Sequence, residues 1–526
     1  MRQFFHLLPL VFCALSFQGC QSSDDTQFTD IGQGFETHAL YAPWSGLEND
    51  TRFCCHSTAN HFHFSFEVND STLTLTTPYT CEDDVKPEDR VEIFFCSDKE
   101  MKEPYYGAEM DPNGHTLDYE ARFYRKSNFD WNFSTLQLHT ALTPTGYRVG
   151  GSIARSELQA LGMDLEKGFW MGVFQADFKP NGDVVWYSLK PTDDAKPDFH
   201  QPKVLFPCRM TPKAERRGVV VYPTDIASAG IEEWKKRIDL SGINLIGIHA
   251  ATFMEPIDSL EVFMKSELGQ QFLQMCQERH VDVEYELHAL QYLLPRSLAE
   301  PHPEYFMMDA DGHRAPRYNA CFSSDEAIEA MRPQLEKLLT WLHPTTHRYY
   351  LWPDDVTGMT CHCEQCENLS ASEQSLLFEN KLLELLRQYD PEATLAHIAY
   401  HQTLEAPLKV KASEGIFLEF APIKRDYTQP LAPEEDMALN DNLLAFPGYS
   451  HHVLEYWLDE SMFSSWKRDA LVEWPDNSER CASDIHHYRE LGATSITTFA
   501  TWLNQAYIDQ YGNTDDIFRH YGQSYR

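Results

Sequence analysis

Apolar and polar residues alternate in two different rhythms along this chain. From about Phe35 to Met210 the period is two. In His61-Phe62-His63-Phe64-Ser65-Phe66-Glu67-Val68, the residues Phe62, Phe64, Phe66 and Val68 fall on one face of an extended strand. Similar runs cover Leu73 to Thr77, Val91 to Cys96, Tyr119 to Tyr124, Tyr147 to Ile153 and Phe169 to Phe178. Turn residues separate them, at Asn69-Asp70, Pro112-Asn113-Gly114 and Pro180-Asn181-Gly182-Asp183. This spacing predicts a two-sheet β-sandwich over residues 35–210.

A polar, basic stretch from Thr211 to Arg217 predicts a linker, and the rhythm then changes. Eight apolar runs read as strands: Val219–Tyr222, Ile243–His249, Val281–His288, Tyr349–Asp354, Thr394–His401, Ile416–Ala421, Val453–Leu458 and Ser495–Trp502. Helical stretches lie between them, among them Glu232 to Leu240, Glu326 to Leu342 and Glu373 to Gln388. The last opens with a capping box, Ser370-Ala371-Ser372-Glu373, and is halted by Asp390-Pro391. Eight strand–helix units predict a (β/α)8 TIM barrel over residues 218–526. No glycine-rich phosphate loop follows the first strand, which argues against a doubly wound sheet. The fold class predicted is therefore multidomain, a β-sandwich followed by a TIM barrel.

At 526 residues and 42% hydrophobic, the chain has material for two cores. Its formal net charge of −37 argues against nucleic acid as a partner. The N-terminus reads as a targeting segment. Arg2 precedes an apolar run from Phe4 to Phe17, too short to span a bilayer, and then Gln18-Gly19-Cys20. That junction resembles a bacterial lipoprotein cleavage site. Residues 1–20 would be a signal peptide, Cys20 the lipidated first residue, and residues 21–34 a polar tether. The alternative is an ordinary signal peptide cut nearby. Asp24 and Asp25 resemble surface-export signals of some Gram-negative bacteria. The expectation is a protein held at the outer membrane or cell surface by its lipid, on the periplasmic or extracellular face.

Chemistry in a TIM barrel gathers at the C-terminal ends of the strands. Those ends carry His249; Glu284, Glu286 and His288; Trp352, Asp354 and Asp355; Tyr400 and His401; Glu419; Glu455 and Tyr456; Thr501 and Trp502. Acids, histidines and aromatics at one rim suggest cleavage of a sugar, which commonly takes two carboxyl groups. Asp354, Asp355, Glu419 and Glu455 are the candidate catalytic acids. His249, Glu286, His288, Trp352, Tyr400, His401, Tyr456 and Trp502 are the candidate substrate contacts. No catalytic cofactor is expected. Each has a plainer explanation: adjacent acids after proline often cap turns, and buried histidines and tryptophans often only pack.

Both halves carry phrases of known families. Arg90-Val91-Glu92-Ile93-Phe94-Phe95, Gly168-Phe169-Trp170, Asp177-Phe178, Trp186-Tyr187-Ser188 and Pro197-Asp198-Phe199-His200 resemble a family 9-like carbohydrate-binding module. The resemblance implies a sandwich that holds sugar between aromatic rings, with Trp44, Trp131, Trp170 and Trp186 as candidate platforms. In the second half, Glu286-Leu287-His288-Ala289-Leu290, His302-Pro303-Glu304-Tyr305-Phe306, Trp352-Pro353-Asp354-Asp355 and Cys361-His362-Cys363-Glu364-Gln365-Cys366 resemble the bacterial family called domain of unknown function 4838. So do Ala399-Tyr400-His401, Leu418-Glu419-Phe420-Ala421-Pro422 and Leu454-Glu455-Tyr456-Trp457-Leu458-Asp459. That resemblance implies a barrel hydrolase related to glycoside hydrolase family 163, endo-acting β-N-acetylglucosaminidases on N-glycans. The acid pair at the fourth strand also resembles the Asp-Glu pair of β-hexosaminidases, where one acid orients the acetamido group and its neighbour protonates the leaving oxygen. This chain has Asp-Asp instead. Two other divisions of labour stay open: Glu455 as nucleophile opposite a fourth-strand acid, or Glu419 as base in an inverting reaction.

Cys361, Cys363 and Cys366, with Cys321, could hold a structural zinc or form disulfides; His362 is a weaker ligand. The expected function is a glycoside hydrolase on a complex glycan, with an endo-β-N-acetylglucosaminidase foremost. The competitors are a non-catalytic glycan-capture lipoprotein and a uronic-acid-directed glycosidase using Arg348, Lys424 or Arg425.

Overall fold

The computed structural model describes residues 27–526 apart from 38, 43–46, 77, 191, 193–195, 252–253 and 447–450. The signal segment, Cys20 and Trp44 lie outside the described residues.

The first half folds into two sheets, one of ten strands and one of five. The smaller contains Arg52–Ser57, His61–Asn69 and Gly146–Ala154; the larger is centred on Arg90–Cys96 and Phe169–Phe178. Phe62, Phe64, Phe66 and Val68 of the smaller sheet meet Val91, Ile93 and Phe95 of the larger in one apolar core. Phe62 and Phe95 pack edge to face with centroids 5.7 Å apart. Burying each such ring contributes roughly 1.5–3 kcal/mol. Phe94, one residue before Phe95, points the other way into a second cluster with Tyr105, Tyr119 and Phe174.

Two boundaries differ from expectation. Thr29–Asp30, within the expected tether, pair with Cys208–Arg209, and Ile31 is fully buried. The backbone hydrogen bonds and the apolar side chain of Ile31 draw the segment into the domain. Arg216 and Arg217, expected in the linker, already belong to the first barrel strand.

The second half is a closed barrel of eight parallel strands in sequence order. They are Arg216–Val221, Leu245–Ala250, Asp282–His288, Arg348–Trp352, Thr394–Ala399, Ile416–Phe420, His452–Glu455 and Ser495–Phe499. Val219 and Val221 join the cluster beneath the surrounding helices, whereas Val220 joins Tyr350, Phe417, Leu454 and Phe499 inside the barrel. The capping box holds: Ser370 Oγ accepts from the Glu373 N–H at 3.2 Å, and Glu373 accepts from the Ser370 N–H at 2.9 Å. The helix expected over 326–342 is instead two, Asp325–Ala330 and Arg332–Leu339. Pro333 lacks an N–H and starts a helix better than it continues one.

The smaller sheet packs against the barrel. Arg148 joins Glu67 at 3.1 Å and donates to the Pro407 carbonyl at 3.0 Å. His139 meets Asp441 at 2.7 Å. A side chain at Gly150 would lie 2.4 Å from Leu444 Cδ2, so that leucine would have to shift to admit one. His56, His63 and His451 cluster in the same seam, His56 and His63 stacked with centroids 4.9 Å apart. Burial holds all three imidazoles neutral, His56 down to about 4 and the others well below the usual value. A histidine whose value is depressed on folding contributes stability above its unfolded value, near 6.5, and loses it as pH falls through the folded value. Melting temperature is therefore expected to drop between about pH 6.5 and pH 4, with His56 alone worth on the order of 3 kcal/mol once charged. A pH series of thermal melts checks this, and His63→Gln is expected to flatten the acid limb.

Candidate active site

A cavity of about 150 Å³ opens at the C-terminal ends of the barrel strands. Its walls are aromatic, with Tyr222, Trp352, Tyr400, Tyr456 and Phe499 contributed by five different strands or their immediate ends. Its polar groups are Asp354, Asp355, Asp459, His249, His288 and Gln291, together with Ser461 and Thr501. Trp466 stands at its edge, 56% exposed and held at φ +56°.

The three carboxylates differ in what holds them. Asp354 is tethered: it pairs with Arg296 and accepts from the Asn319 N–H at 2.8 Å, while its own N–H donates to Asn319 Oδ1 at 3.1 Å. Asp355 accepts from the Tyr400 hydroxyl at 3.3 Å. Asp459 receives Ser461 Oγ and Thr501 Oγ1, each at 2.5 Å, and the Met462 N–H at 3.2 Å, all on Oδ1. Burial raises the pKa of Asp459, and these donors pull only part of the way back. Asp355 and Asp459 both push the phenols of Tyr222 and Tyr400 upward, after the larger effect of burial, so the two acids face the same space.

Two imidazoles complete the polar lining. His249 Nδ1 lies 2.7 Å from the Glu286 carbonyl, and His288 Nδ1 lies 2.8 Å from the Pro353 carbonyl. A carbonyl only accepts, so Nδ1 carries the hydrogen in each ring, and Nε2 is the acceptor in the neutral form. Burial lowers His249 to about 3, keeping it neutral.

Beneath the cavity the barrel interior is polar. Tyr350 donates to Glu284 at 2.7 Å and meets His452 Nδ1 at 2.7 Å; His452 Nε2 reaches Thr497 at 2.8 Å. Glu419 accepts from Trp352 Nε1 at 2.8 Å, and both oxygens of Glu286 lack a hydrogen-bond partner. Glu286 and Glu419 are fully buried, and desolvation raises both well above the ordinary carboxylate range.

The expected site residues divide accordingly. Asp354, Asp355, His249, His288, Trp352, Tyr400 and Tyr456 border the cavity. Glu286 and Glu419 do not; they sit a layer deeper, inside the barrel. Glu455 does not either, because the seventh strand turns Leu454 and Tyr456 inward and Glu455 outward. There it pairs with Arg425 at 2.6 Å and accepts from Tyr488, and burial pushes it up to about 7. His401 lies beside Tyr400, with ring centroids 4.1 Å apart, and is not part of the cavity lining. Trp502 is buried with the Arg468 guanidinium 4.8 Å from its ring centre, and it is not part of the cavity lining either. Asp459, Tyr222, Gln291, Tyr318, Trp466 and Phe499 were not among the expected site residues. Asp459 closes the phrase that begins at Leu454, which was the available signal.

In the first half, Trp131 packs between Tyr106 and Phe133, and Trp170 lies edge-on to Phe28. Trp186 borders a cavity of about 420 Å³ with Tyr119, Phe129, Arg90 and Glu92.

Among the described residues, three buried groups place potential metal donors within 4.8 Å of one another: Cys321 with Cys361, Cys363 and Cys366; Glu286 with Glu419 and His452; and Asp70 with Asp89 and Asp177. No disulfide joins the described cysteines, and His362 is turned outward. Among the described residues no helix is long and apolar enough to cross a membrane.

Comparison with known proteins matches these halves separately. The family model described as Domain of unknown function (DUF4838) matches residues 252–463, from just past the second barrel strand to just past the seventh. All the barrel phrases read as that family lie within it. No curated protein matches the chain. Among solved structures, the chain is similar to a carbohydrate-binding module of family 9 from Caldicellulosiruptor kristjanssonii in complex with glucose, at 16% identity and TM-score 0.24, over 36% of this chain and 97% of that one. It is also similar to a cold-adapted β-galactosidase from Rahnella sp. R3, at 14% identity and TM-score 0.37, over 59% of this chain and 55% of that one. A third likeness is to a GH20 catalytic module of the pneumococcal exo-β-D-N-acetylglucosaminidase, at 8% identity and TM-score 0.35, over 59% and 83% of the two chains.

Proposed function

We propose that this protein is a glycoside hydrolase acting on a complex glycan at the barrel mouth, foremost as an endo-β-N-acetylglucosaminidase. The observation that carries this reading is the pair Asp355 and Asp459, two carboxyl groups on one aromatic-walled cavity. Asp459, its pKa raised by burial, is the general acid that protonates the leaving oxygen. Asp355 is the partner acid, acting on the anomeric side either directly or by orienting a substrate acetamido group. Asp354 is a positioning residue, since its carboxylate is already committed to Arg296 and Asn319. His249 and His288 offer Nε2 acceptors to sugar hydroxyls, and Trp466 offers a ring face.

Of the three cations that the uronic-acid reading would use, Lys424 is exposed and close enough to His401 to act on it, and the two arginines are committed elsewhere. Arg425 is locked between Glu455 and Asp484, and Arg348 lies at the level of His452. The first half is read as a carbohydrate-binding β-sandwich, with the cavity beside Trp186 as its sugar site. Cys20 is read as a lipid anchor at the bacterial cell surface; Cys20→Ala is expected to move the protein from the membrane to the soluble fraction, checked by fractionation.

Soluble protein begun after Cys20, incubated with N-glycans and with plant and algal polysaccharides, is expected to yield a product by mass spectrometry. Asp355→Asn and Asp459→Asn should each lower turnover by at least about a hundredfold while glycan affinity is retained. The high-pH limb of kcat should follow the Asp459 carboxyl, because its protonated form is the active one. Trp466→Ala should weaken glycan binding several-fold, the loss of roughly 1 kcal/mol of ring contact, with little change in melting temperature. Binding without cleavage of any glycan would favour the capture reading over the hydrolase.

A further inference from the structure

We propose that Cys321, Cys361, Cys363 and Cys366 form a tetrathiolate zinc site that braces the loop carrying Asp354 and Asp355. All four cysteines are buried, and their sulfurs lie within 4.8 Å of one another. Cys321 Sγ is 3.7 Å from Cys363 Sγ and 3.8 Å from Cys361 Sγ. Zinc–thiolate bonds of about 2.3 Å in a tetrahedron put neighbouring sulfurs about 3.8 Å apart. The spacing is thus that of four ligands around one ion, and none of the four is joined in a disulfide. A closed set of four thiolates, with no open position, is a structural site rather than a catalytic one.

The surroundings suit thiolates. The Met308 N–H donates to Cys361 Sγ at 3.3 Å, and Ser323 Oγ lies 3.3 Å from both Cys321 and Cys366 sulfurs. The Arg314 guanidinium, which donates to the Phe306 carbonyl at 2.8 Å, lies close enough for its charge to act on Cys321, offsetting charge on a site that would carry four thiolates against one divalent ion. The loop is also arranged independently of any metal. Gln374, buried on the helix that follows, accepts from the Cys361 N–H at 2.9 Å and donates to the carbonyls of Cys361 and Cys366 at 3.1 and 3.2 Å.

The position of the cage gives it a purpose. Cys321 comes two residues after Asn319, whose N–H donates to Asp354 at 2.8 Å and whose Nδ2 donates to the Met359 carbonyl at 2.8 Å. The ion would tie the segment around Asn319 to the segment from Cys361 to Cys366. These are the two ends of the connection that fixes Asp354, and with it the neighbouring Asp355. Zinc here acts as a cross-link between two stretches otherwise joined by a few hydrogen bonds.

The proposal is independent of what the cavity cleaves, and its first test needs no activity. The purified full-length chain is analysed by inductively coupled plasma mass spectrometry and by intact mass under non-reducing, denaturing conditions. One zinc per chain, with all four cysteines free on denaturation, is expected. Cys361→Ser and Cys366→Ser should each drop zinc well below one per chain and lower the melting temperature. Cys276→Ser, a buried cysteine outside the cage, should retain it. Cobalt exchanged into the wild-type protein should give the strong visible bands of a tetrahedral thiolate site, which keeps the test valid if the serine variants fail to fold. Wild-type protein lacking stoichiometric zinc, carrying iron instead, or showing disulfides among these four residues would overturn the assignment.

Discussion

Closing eight parallel strands into a barrel fixes which side chain of each adjacent pair points inward, and the rest of the site depends on that parity. On the third strand it sends Glu284 and Glu286 inside and leaves His288 at the rim. On the fourth it buries Tyr350 inside and lifts Trp352 to the cavity floor. On the seventh it faces Tyr456 to the cavity and Glu455 to the helices. Neither chemistry nor burial alone could have sorted these residues, since Glu286, Glu419 and Glu455 are all fully buried acids.

The barrel interior is costly to build this way. Glu286 and Glu419 are removed from water with few donors, so desolvation favours their neutral forms. A fully apolar interior would avoid that cost. The polar column of Glu284, Tyr350, His452 and Thr497 instead satisfies its members in sequence and supports the floor on which Trp352 rests.

All eight barrel strands were legible in the sequence, because each is a short β-branched or aromatic run bounded by helix signals. The residues at the mouth were legible only where a strand end reaches it directly, as with His249, His288, Asp355 and Tyr400. Glu455 misled because one residue of register separates it from Tyr456. Trp502 misled because the chain turns at φ +62° as it leaves the last strand, carrying the ring away from the opening. Asp459 and Trp466 stay hidden from strand periodicity because both follow the seventh strand in a loop and a short helix, where no repeat predicts direction. The convergence of Cys321 on a cluster forty residues later depends on tertiary folding, though the cluster itself marked the place.

The seam between the halves has a bearing on how this architecture can be recombined. Gly150 is bare so that Leu444 can approach, Arg148 spends a buried guanidinium on a barrel carbonyl, and His139 reaches Asp441. A first half grafted in without Gly150 and Arg148 would crowd Leu444 and leave the Pro407 carbonyl without this donor. The first half is therefore not an interchangeable cassette hung on the barrel. Any shuffling of these modules, in evolution or in engineering, would have to transfer the seam along with the fold.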